Sequence, residues 1–214
     1  MLKAIIFDFD DTLLKTRIIK YQAVKYCGQK FYNLELSDAD IDQHWGKPFL
    51  SFLSEVYRNI EPVEALAANY KSIVGQFKNE AYEGTLETID ALSVQYKLGI
   101  LSSAAQYLVI DDMKSAGLEM EKFLYIQTAE DTAVHKPDPT VFQPLIRTFT
   151  GHGIGVNEML YIGDTLFDWE AATKAGLHFI AMADRTTPAL KFSEKGSKYI
   201  TDLRHLPEAL VTLK

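Results

Sequence analysis

The chain has 214 residues, of which 47% are hydrophobic and 24% are charged, and its formal net charge is -7. This composition is that of a globular protein with a sizeable core, and the negative charge argues against a nucleic-acid partner. A single cysteine, Cys27, excludes an internal disulfide and a multi-cysteine metal site.

The N-terminal segment MLKAIIF contains no signal segment and no cleavage site, so we expect a cytoplasmic protein. Its last five residues, KAIIF, form a short apolar run rich in β-branched side chains, which predicts a buried strand. No run in the chain approaches the roughly 18 apolar residues of a membrane helix, so we expect no membrane partner.

The stretch after the first strand is rich in Ala, Leu, Lys and Glu, with internal breaks at Pro48 and Pro62. This pattern predicts a small helical module. We therefore expect a helical module at 17–82, inserted into a domain made of 1–16 and 83–214; this module is the predicted cap of the family resemblance described below.

Helices and strands alternate in the remainder of the chain. The predicted strands are KLGIL, FLYIQ, MLYIG, HFIAM and KYI. The predicted helices are LETIDALSVQY, AAQYLVIDDMKSAGL, TVFQPLIRTF, DWEAATKAGL and a last one near LPEALVTL, with Gly117 and Gly176 closing two of them. This alternation predicts an α/β, Rossmann-like fold, in which helices cover both faces of a parallel sheet. Ligands then bind at the carboxyl ends of the strands, near a switch in strand order.

Polar residues follow three of the predicted strands. Asp8 and Asp10 follow the first strand, Ser102 and Ser103 follow the second, and Asp164 follows MLYIG. Because the carboxyl ends of parallel strands lie at one edge of a sheet, we expect these groups to converge.

Lys136 is expected to lie beside these carboxylates. Pro137 keeps the lysine out of helical conformation, and Asp138 can cap a helix that begins with Pro139. One lysine cannot neutralise three aspartates and the nearby Asp168. A divalent cation can, and oxygen ligands alone indicate Mg²⁺.

A metal ion and a lysine would turn this acidic cleft into an anion site. The Ser102 hydroxyl would add a donor, and so would the free N–H groups of a helix that we expect to begin at Ser103 and Ala104. The alternative is that Ser102 only caps that helix.

Four segments, DFDDTL, LGILSSA, KPDP and YIGDTLFDWEAATKAGL, resemble in order the four motifs of the haloacid dehalogenase-like (HAD) hydrolases. They are most similar to the phosphatase branch with a helical cap, the phosphoglycolate phosphatase-like group. The resemblance covers the whole chain. It implies a Mg²⁺-dependent phosphatase that acts on a small phosphorylated metabolite, as a monomer or homodimer.

The resemblance also implies roles for the first motif. Asp8 attacks phosphorus and forms an aspartyl-phosphate, and Asp10 protonates the leaving group and then activates water. A carboxyl group near other negative charge has a raised pKa, which suits an acid and base. Asp8 and the backbone carbonyl of Asp10 would hold Mg²⁺ together with Asp164.

The other motifs supply supporting groups by the same resemblance. Ser102 and Lys136 bind phosphoryl oxygens, with the N–H of Ser103 beside them. Asp168 is a supporting acid near the metal. The alternative is that Asp168 only complements the dipole at a helix N-terminus.

In the predicted cap, DQHWGKP resembles the substrate-facing loop of related caps, which makes Trp45 and Lys47 candidates for specificity. The alternative is a turn between helices with Trp45 in the cap core. Three positions depart from the family pattern. Asp11, read as a turn residue, stands where relatives often have glycine, Lys15 stands at a commonly acidic position, and Glu83 stands where proline is frequent.

Four alternative functions remain open at this stage. A phosphomutase shares the whole core and differs in how long the aspartyl-phosphate survives water. A haloacid dehalogenase is disfavoured by Asp10, since carbon–halogen cleavage needs no acid. A silent phosphate-binding module is disfavoured by the intact motifs, and a receiver domain by the large insert.

Overall fold

The computed structural model describes residues 1–45, 47, 49–184 and 186–211. They form two compact units. The sheet unit comprises Met1–Lys15 and Glu80–Lys214, and the helical unit comprises Thr16–Asn79. Within the described residues, no helix has both the length and the apolar composition needed to cross a membrane.

The sheet unit is built on a parallel sheet. In the described part of the chain its six strands are β1 (Ala4–Asp8), β2 (Lys97–Leu101), β3 (Phe123–Gln127), β4 (Met159–Gly163), β5 (His178–Met182) and β6 (Lys198–Ile200). Their spatial order is β3-β2-β1-β4-β5-β6, and every pairing is parallel. All six predicted strands and the α/β class are therefore confirmed. The strand order switches direction at β1, which lies between β2 and β4.

Six helices of the sheet unit follow or separate these strands. They are α5 (Thr85–Ser93), α6 (Gln106–Ala116), α7 (Gln143–Gly151), α8 (Leu166–Lys174), α9 (Ala189–Ser193) and α10 (Leu206–Val211), as far as the described residues show. The predicted last helix extends to residue 213, and residues 212–214 lie outside the described residues. Gly117 and Gly176 follow α6 and α8 with φ angles of 76° and 86°, the left-handed conformation that makes glycine a helix terminator.

Alternate residues of each central strand face opposite sides of the sheet. In β1, Ile5 and Phe7 belong to the core under α5, α6 and α10, whereas Ala4 and Ile6 belong to the core under α7, α8 and α9. All four are fully buried. A fully buried Ile or Phe side chain contributes about 1.5–3 kcal/mol of transfer free energy. The two cores hold the central strands, and hence the strand ends, in place.

The helical unit contains four helices within the described residues. They are α1 (Thr16–Tyr32), α2 (Asp38–Asp42), α3 (Phe49–Val56) and α4 (Val63–Val74). They enclose a separate hydrophobic core, in which Tyr57 is fully buried and its hydroxyl donates to the Val24 carbonyl at 3.1 Å. Pro62 directly precedes α4, as its predicted role as a break requires. The other predicted break, Pro48, lies outside the described residues.

Candidate active site

Three polar residues lie at the carboxyl ends of the three central strands. Asp8 ends β1, Ser102 directly follows β2, and Asp164 directly follows β4. Each is less than a tenth exposed. Because β1 is hydrogen-bonded to both β2 and β4, these strand ends are neighbours at the switch in strand order. The fold therefore brings together Asp8, Ser102 and Asp164, three of the five residues that the sequence predicts to converge.

Lys136 is the cation of this cluster. Its Nζ lies 2.7 Å from Oδ1 of Asp8 and 2.5 Å from Oδ1 of Asp168. The loop that carries it is held on its C-terminal side, because the Asp138 carboxylate accepts the Thr140 N–H at 2.9 Å and caps a 3₁₀ turn. The expected cap is therefore confirmed, with the refinement that the first turn is 3₁₀ and that the α-helix begins at Gln143.

Both carboxylate oxygens of Asp168 are already occupied by groups of the chain. Oδ1 accepts from Lys136 and from the Tyr161 hydroxyl, and Oδ2 accepts from the N–H and the hydroxyl of Thr165. Thr165 caps α8, and Asp168 completes the capping box at the third helical position. Asp168 is thus an acid in the first turn of a helix, and it also contacts Lys136; its role as a supporting acid near a metal remains a prediction. A carboxylate offers about four lone-pair positions, so Asp168 has little capacity left for another ligand.

Tyr161 is a member of this cluster that the sequence analysis missed. It lies in β4, is fully buried, and its register partner on β1 is Ile6, two residues before Asp8. Its hydroxyl oxygen is 3.1 Å from Lys136 Nζ, 3.1 Å from Asp168 Oδ1 and 3.4 Å from Asp8 Oδ1. The available signal was a hydroxyl group inside the otherwise apolar strand MLYIG.

Burial and neighbouring charges shift the pKa values of three groups in this cluster. Burial raises the pKa of Asp8 to about 7, the Lys136 ammonium opposes this rise, and the Asp168 carboxylate adds to it. Burial alone would lower the pKa of Lys136, but Asp168 and Asp8 outweigh burial and raise that pKa well above its ordinary value. Burial also raises the pKa of Tyr161 well above its ordinary value. The lysine therefore stays charged and the tyrosine stays protonated at neutral pH.

A cation fits the acidic side of the cluster. Carboxylate oxygens of Asp8, Asp164 and Asp168 lie within 4.8 Å of one another, and all three residues are buried. Such oxygen donors suit Mg²⁺. All three carboxylates could contribute to such a site, and the assignment of Asp8 and Asp164 as its side-chain ligands remains a prediction.

The segment after β2 differs from the expectation in one respect. The helix α6 begins at Gln106, and the expectation that it begins at Ser103 is wrong. Ala105 has an extended backbone (φ -65°, ψ 145°), and the Ala104 N–H donates to the Ser102 hydroxyl at 3.0 Å. This local turn takes the place of the first helical turn. The Ala104 N–H is thus already engaged, and the side chain of Ser103 is exposed.

The turn that follows β1 explains one departure from the family pattern. Asp11 lies in a turn, as expected, and has a φ angle of 58°. Its N–H donates to the Leu14 carbonyl at 2.8 Å, so the chain reverses within four residues. The left-handed region favours glycine and tolerates Asp or Asn, so an aspartate can occupy this turn position.

The two specificity candidates lie in the helical unit. Trp45 packs edge-on against Tyr21 and Phe52, with ring centroids 4.8 and 5.8 Å apart, so the packing interpretation describes its contacts. Lys47 forms an ion pair with Glu55, whose carboxylate also lies 2.9 Å from His44 Nδ1. A role of Trp45 or Lys47 in specificity remains a prediction.

The chain is similar to known proteins in family, sequence and fold. The model of the family described as haloacid dehalogenase-like hydrolase matches residues 5–182. The chain is 24% identical over 210 residues, 94% of each chain, to "Putative pyrophosphatase PpaX" of Clostridium perfringens. It is 25% identical over 191 residues to the phosphoglycolate phosphatase of Nitrosospira multiformis, covering 83% of this chain and 81% of that one. A solved structure described as "putative beta-phosphoglucomutase" from Thermotoga maritima superposes with a TM-score of 0.84 over 100% of both chains at 16% identity, which shows a shared fold.

Proposed function

Because the chain belongs to the haloacid dehalogenase-like hydrolases, we propose that it is a Mg²⁺-dependent phosphatase that hydrolyses a small phosphorylated metabolite through an aspartyl-phosphate on Asp8. One observation carries this proposal. At the strand switch, a lysine whose side chain is only 12% exposed lies 2.7 Å from the Asp8 carboxylate, and further buried carboxylates lie within 4.8 Å. A nucleophile, a fixed cation and a set of metal donors are what phosphoryl transfer requires.

The reaction has two displacements. An oxygen of Asp8 attacks phosphorus, the bond from phosphorus to the ester oxygen breaks, and Asp10 gives its proton to the leaving oxygen. Asp10 then takes a proton from water, the water oxygen attacks phosphorus, and the bond to Asp8 breaks. Phosphate and the free carboxylate result. Each step is easier than direct attack of water on a phosphate dianion.

The other residues reduce the electrostatic barrier. Lys136 neutralises charge on Asp8 and on the phosphoryl oxygens, in a buried site where such interactions are strong. The Ser102 hydroxyl and the N–H of Ser103 would donate hydrogen bonds to the same oxygens. When bound between Asp8, Asp164 and the Asp10 carbonyl, Mg²⁺ would stabilise the charge of the transferring group. Asp168 holds Lys136 in place.

The substrate class follows from the relatives alone. One relative is described as a pyrophosphatase and another as a phosphoglycolate phosphatase, so both act on small phosphorylated compounds as named. We therefore place pyrophosphate and phosphoglycolate first in a substrate panel. The single, buried cysteine supports the proposal of a cytoplasmic location.

The direct test is hydrolysis of p-nitrophenyl phosphate by wild type and Asp8→Ala, each with Mg²⁺ and with EDTA. Circular dichroism establishes that the variant folds. We expect activity in wild type with Mg²⁺ only. Turnover by folded Asp8→Ala at the wild-type rate would contradict the proposal, and so would absence of turnover by wild type on this ester and on the panel.

A phosphomutase is the second candidate, because it would use the same aspartyl-phosphate. Transfer of the phosphoryl group between two positions of a hexose phosphate, faster than release of inorganic phosphate, would favour it. A predominance of free phosphate favours the phosphatase.

A further inference from the structure

Within the described residues, the ammonium group of Lys136 has as many acceptors as it has hydrogens. A lysine carries three N–H donors. The three acceptors are Asp168 Oδ1 at 2.5 Å, Asp8 Oδ1 at 2.7 Å and the Tyr161 hydroxyl oxygen at 3.1 Å. The lysine side chain is 12% exposed. A phosphoryl oxygen that binds this ammonium must therefore replace one of the three.

The tyrosine is the acceptor that is easiest to replace. Two of the three acceptors are aspartate carboxyl groups, and an ionised carboxylate adds a Coulomb attraction to the ammonium that a neutral hydroxyl lacks. The hydroxyl of Tyr161 is neutral, and its contact is the longest of the three. We propose that Tyr161 is the exchangeable partner of Lys136: its hydroxyl accepts the third N–H of the ammonium and yields that N–H to a phosphoryl oxygen. This inference rests on the phosphate site of the proposed function.

The surroundings of Tyr161 allow the exchange without movement of the ring. The ring packs edge-on against Phe142, with centroids 4.8 Å apart, and is fully buried. Its hydroxyl donates to Asp168 Oδ1 at 3.1 Å, and that bond does not depend on the lysine hydrogen. Loss of the lysine contact thus removes one hydrogen bond and leaves the hydroxyl proton with an acceptor.

We expect Tyr161→Phe to increase the affinity for phosphate, although the substitution removes a polar group from the site. The variant keeps the ring and removes the acceptor, so a phosphoryl oxygen gains an N–H and displaces nothing. A net hydrogen bond contributes about 1 kcal/mol, so inorganic phosphate should bind roughly fivefold more tightly to the variant. The KM for p-nitrophenyl phosphate should fall by a similar factor without any rise in kcat, because the gain is the same in the ground state and the transition state.

The experiment is calorimetric titration of inorganic phosphate, with Mg²⁺, into wild type, Tyr161→Phe and Tyr125→Phe. Tyr125 is the matched control, since its hydroxyl also donates to an aspartate, Asp131 at 3.1 Å, outside the cluster. We expect tighter binding in Tyr161→Phe and wild-type affinity in Tyr125→Phe. Unchanged or weaker phosphate binding by folded Tyr161→Phe, or a loss of kcat at constant KM, would overturn the inference.

A second readout needs no variant of the site. With tyrosine labelled at the ring carbon that bears the hydroxyl, the Tyr161 resonance should shift when phosphate binds to wild type, and the Tyr125 resonance should stay in place. An unmoved Tyr161 resonance at saturating phosphate would overturn the exchange. If wild type binds phosphate but hydrolyses no ester, the proposed function fails. The phosphate affinity of Tyr161→Phe relative to wild type still decides the inference in that case.

Discussion

Gly163 lies so close to Asp168 that a Cβ atom added to the glycine would be 2.6 Å from both Cβ and Cγ of the aspartate. Only hydrogen fits at this position, because the Asp168 side chain is fixed by Lys136 and by the α8 capping box. The last residue of β4 thus sets the position of the residue that holds the site lysine.

Gly163→Ala should therefore displace Asp168 and, with it, Lys136. We expect a loss of about 1–3 kcal/mol of stability from overpacking and a fall in kcat on the order of 100-fold from misplacement of the lysine. Gly151→Ala is the control, since a Cβ there meets nothing within 4 Å. Equal effects of the two substitutions on kcat would contradict the packing argument.

Substitutions of Asp11 should distinguish the contribution of its backbone conformation to stability from the contribution of its side chain. With a φ angle of 58°, the position favours glycine over alanine. Both variants lose the carboxylate, so their difference reports the left-handed backbone. We expect Asp11→Ala to be about 1 kcal/mol less stable than Asp11→Gly in urea unfolding. An alanine variant as stable as the glycine variant would show that this backbone carries no strain.

Removal of the Lys136 charge should destabilise the protein strongly. Lys136→Met leaves Asp8 and Asp168 buried without their cation, which typically costs about 3–5 kcal/mol. Lys122 also bridges two acids, Asp90 and Glu119, but at the surface. Lys122→Met should therefore change the urea midpoint little. Similar losses in the two variants would contradict a special role for the buried cluster.

The pH dependence of stability should reveal the raised pKa of Asp8. Between about pH 4 and pH 7 the folded protein retains a proton on Asp8 that the unfolded chain has released, since burial raises this pKa to about 7. Rising pH in this window therefore lowers stability, by about 1.4 kcal/mol per unit where only the unfolded chain is ionised. Above pH 7 both states are ionised and the contribution is constant.

Asp8→Asn removes this titration and provides the comparison. In EDTA, the stability of the variant relative to wild type should increase from about pH 4 to pH 7 and then level off. Urea unfolding of both proteins across this range measures it. A difference that is independent of pH would mean that Asp8 has the same pKa in both states.

The strands could be predicted from sequence because each contains a short apolar run, and the central strands β1, β2 and β4 are almost wholly buried. The proximity of Asp8, Ser102 and Asp164 could be predicted because parallel strands end at one edge of the sheet. The role of Tyr161 could not, since a tyrosine in an apolar strand suits simple packing. Its contact with Asp8 depends on the pairing of Tyr161 with Ile6, which no local pattern encodes.

The start of α6 shows a second limit of local patterns. The sequence after β2 is compatible with a helix from Ser103 onward. The structure instead forms a turn, because the Ser102 hydroxyl accepts the Ala104 N–H and competes with the first helical turn. Side-chain to backbone hydrogen bonds of this kind are decided by their surroundings and lie beyond composition and periodicity.

The most direct test of the account is detection of the phosphoryl group on Asp8. Asp10→Asn removes the proposed base, so hydrolysis of the aspartyl-phosphate should slow. Formation of the aspartyl-phosphate should continue, because the leaving group of p-nitrophenyl phosphate needs little protonation. The Asp10→Asn variant is mixed with p-nitrophenyl phosphate and Mg²⁺ and then quenched with acid. Peptide mass spectrometry should find one phosphoryl group on Asp8 of this variant. It should find none in the double variant that also carries Asp8→Asn. A phosphoryl group on another residue, or an unmodified Asp8 while wild type hydrolyses the ester, would contradict the aspartyl-phosphate mechanism.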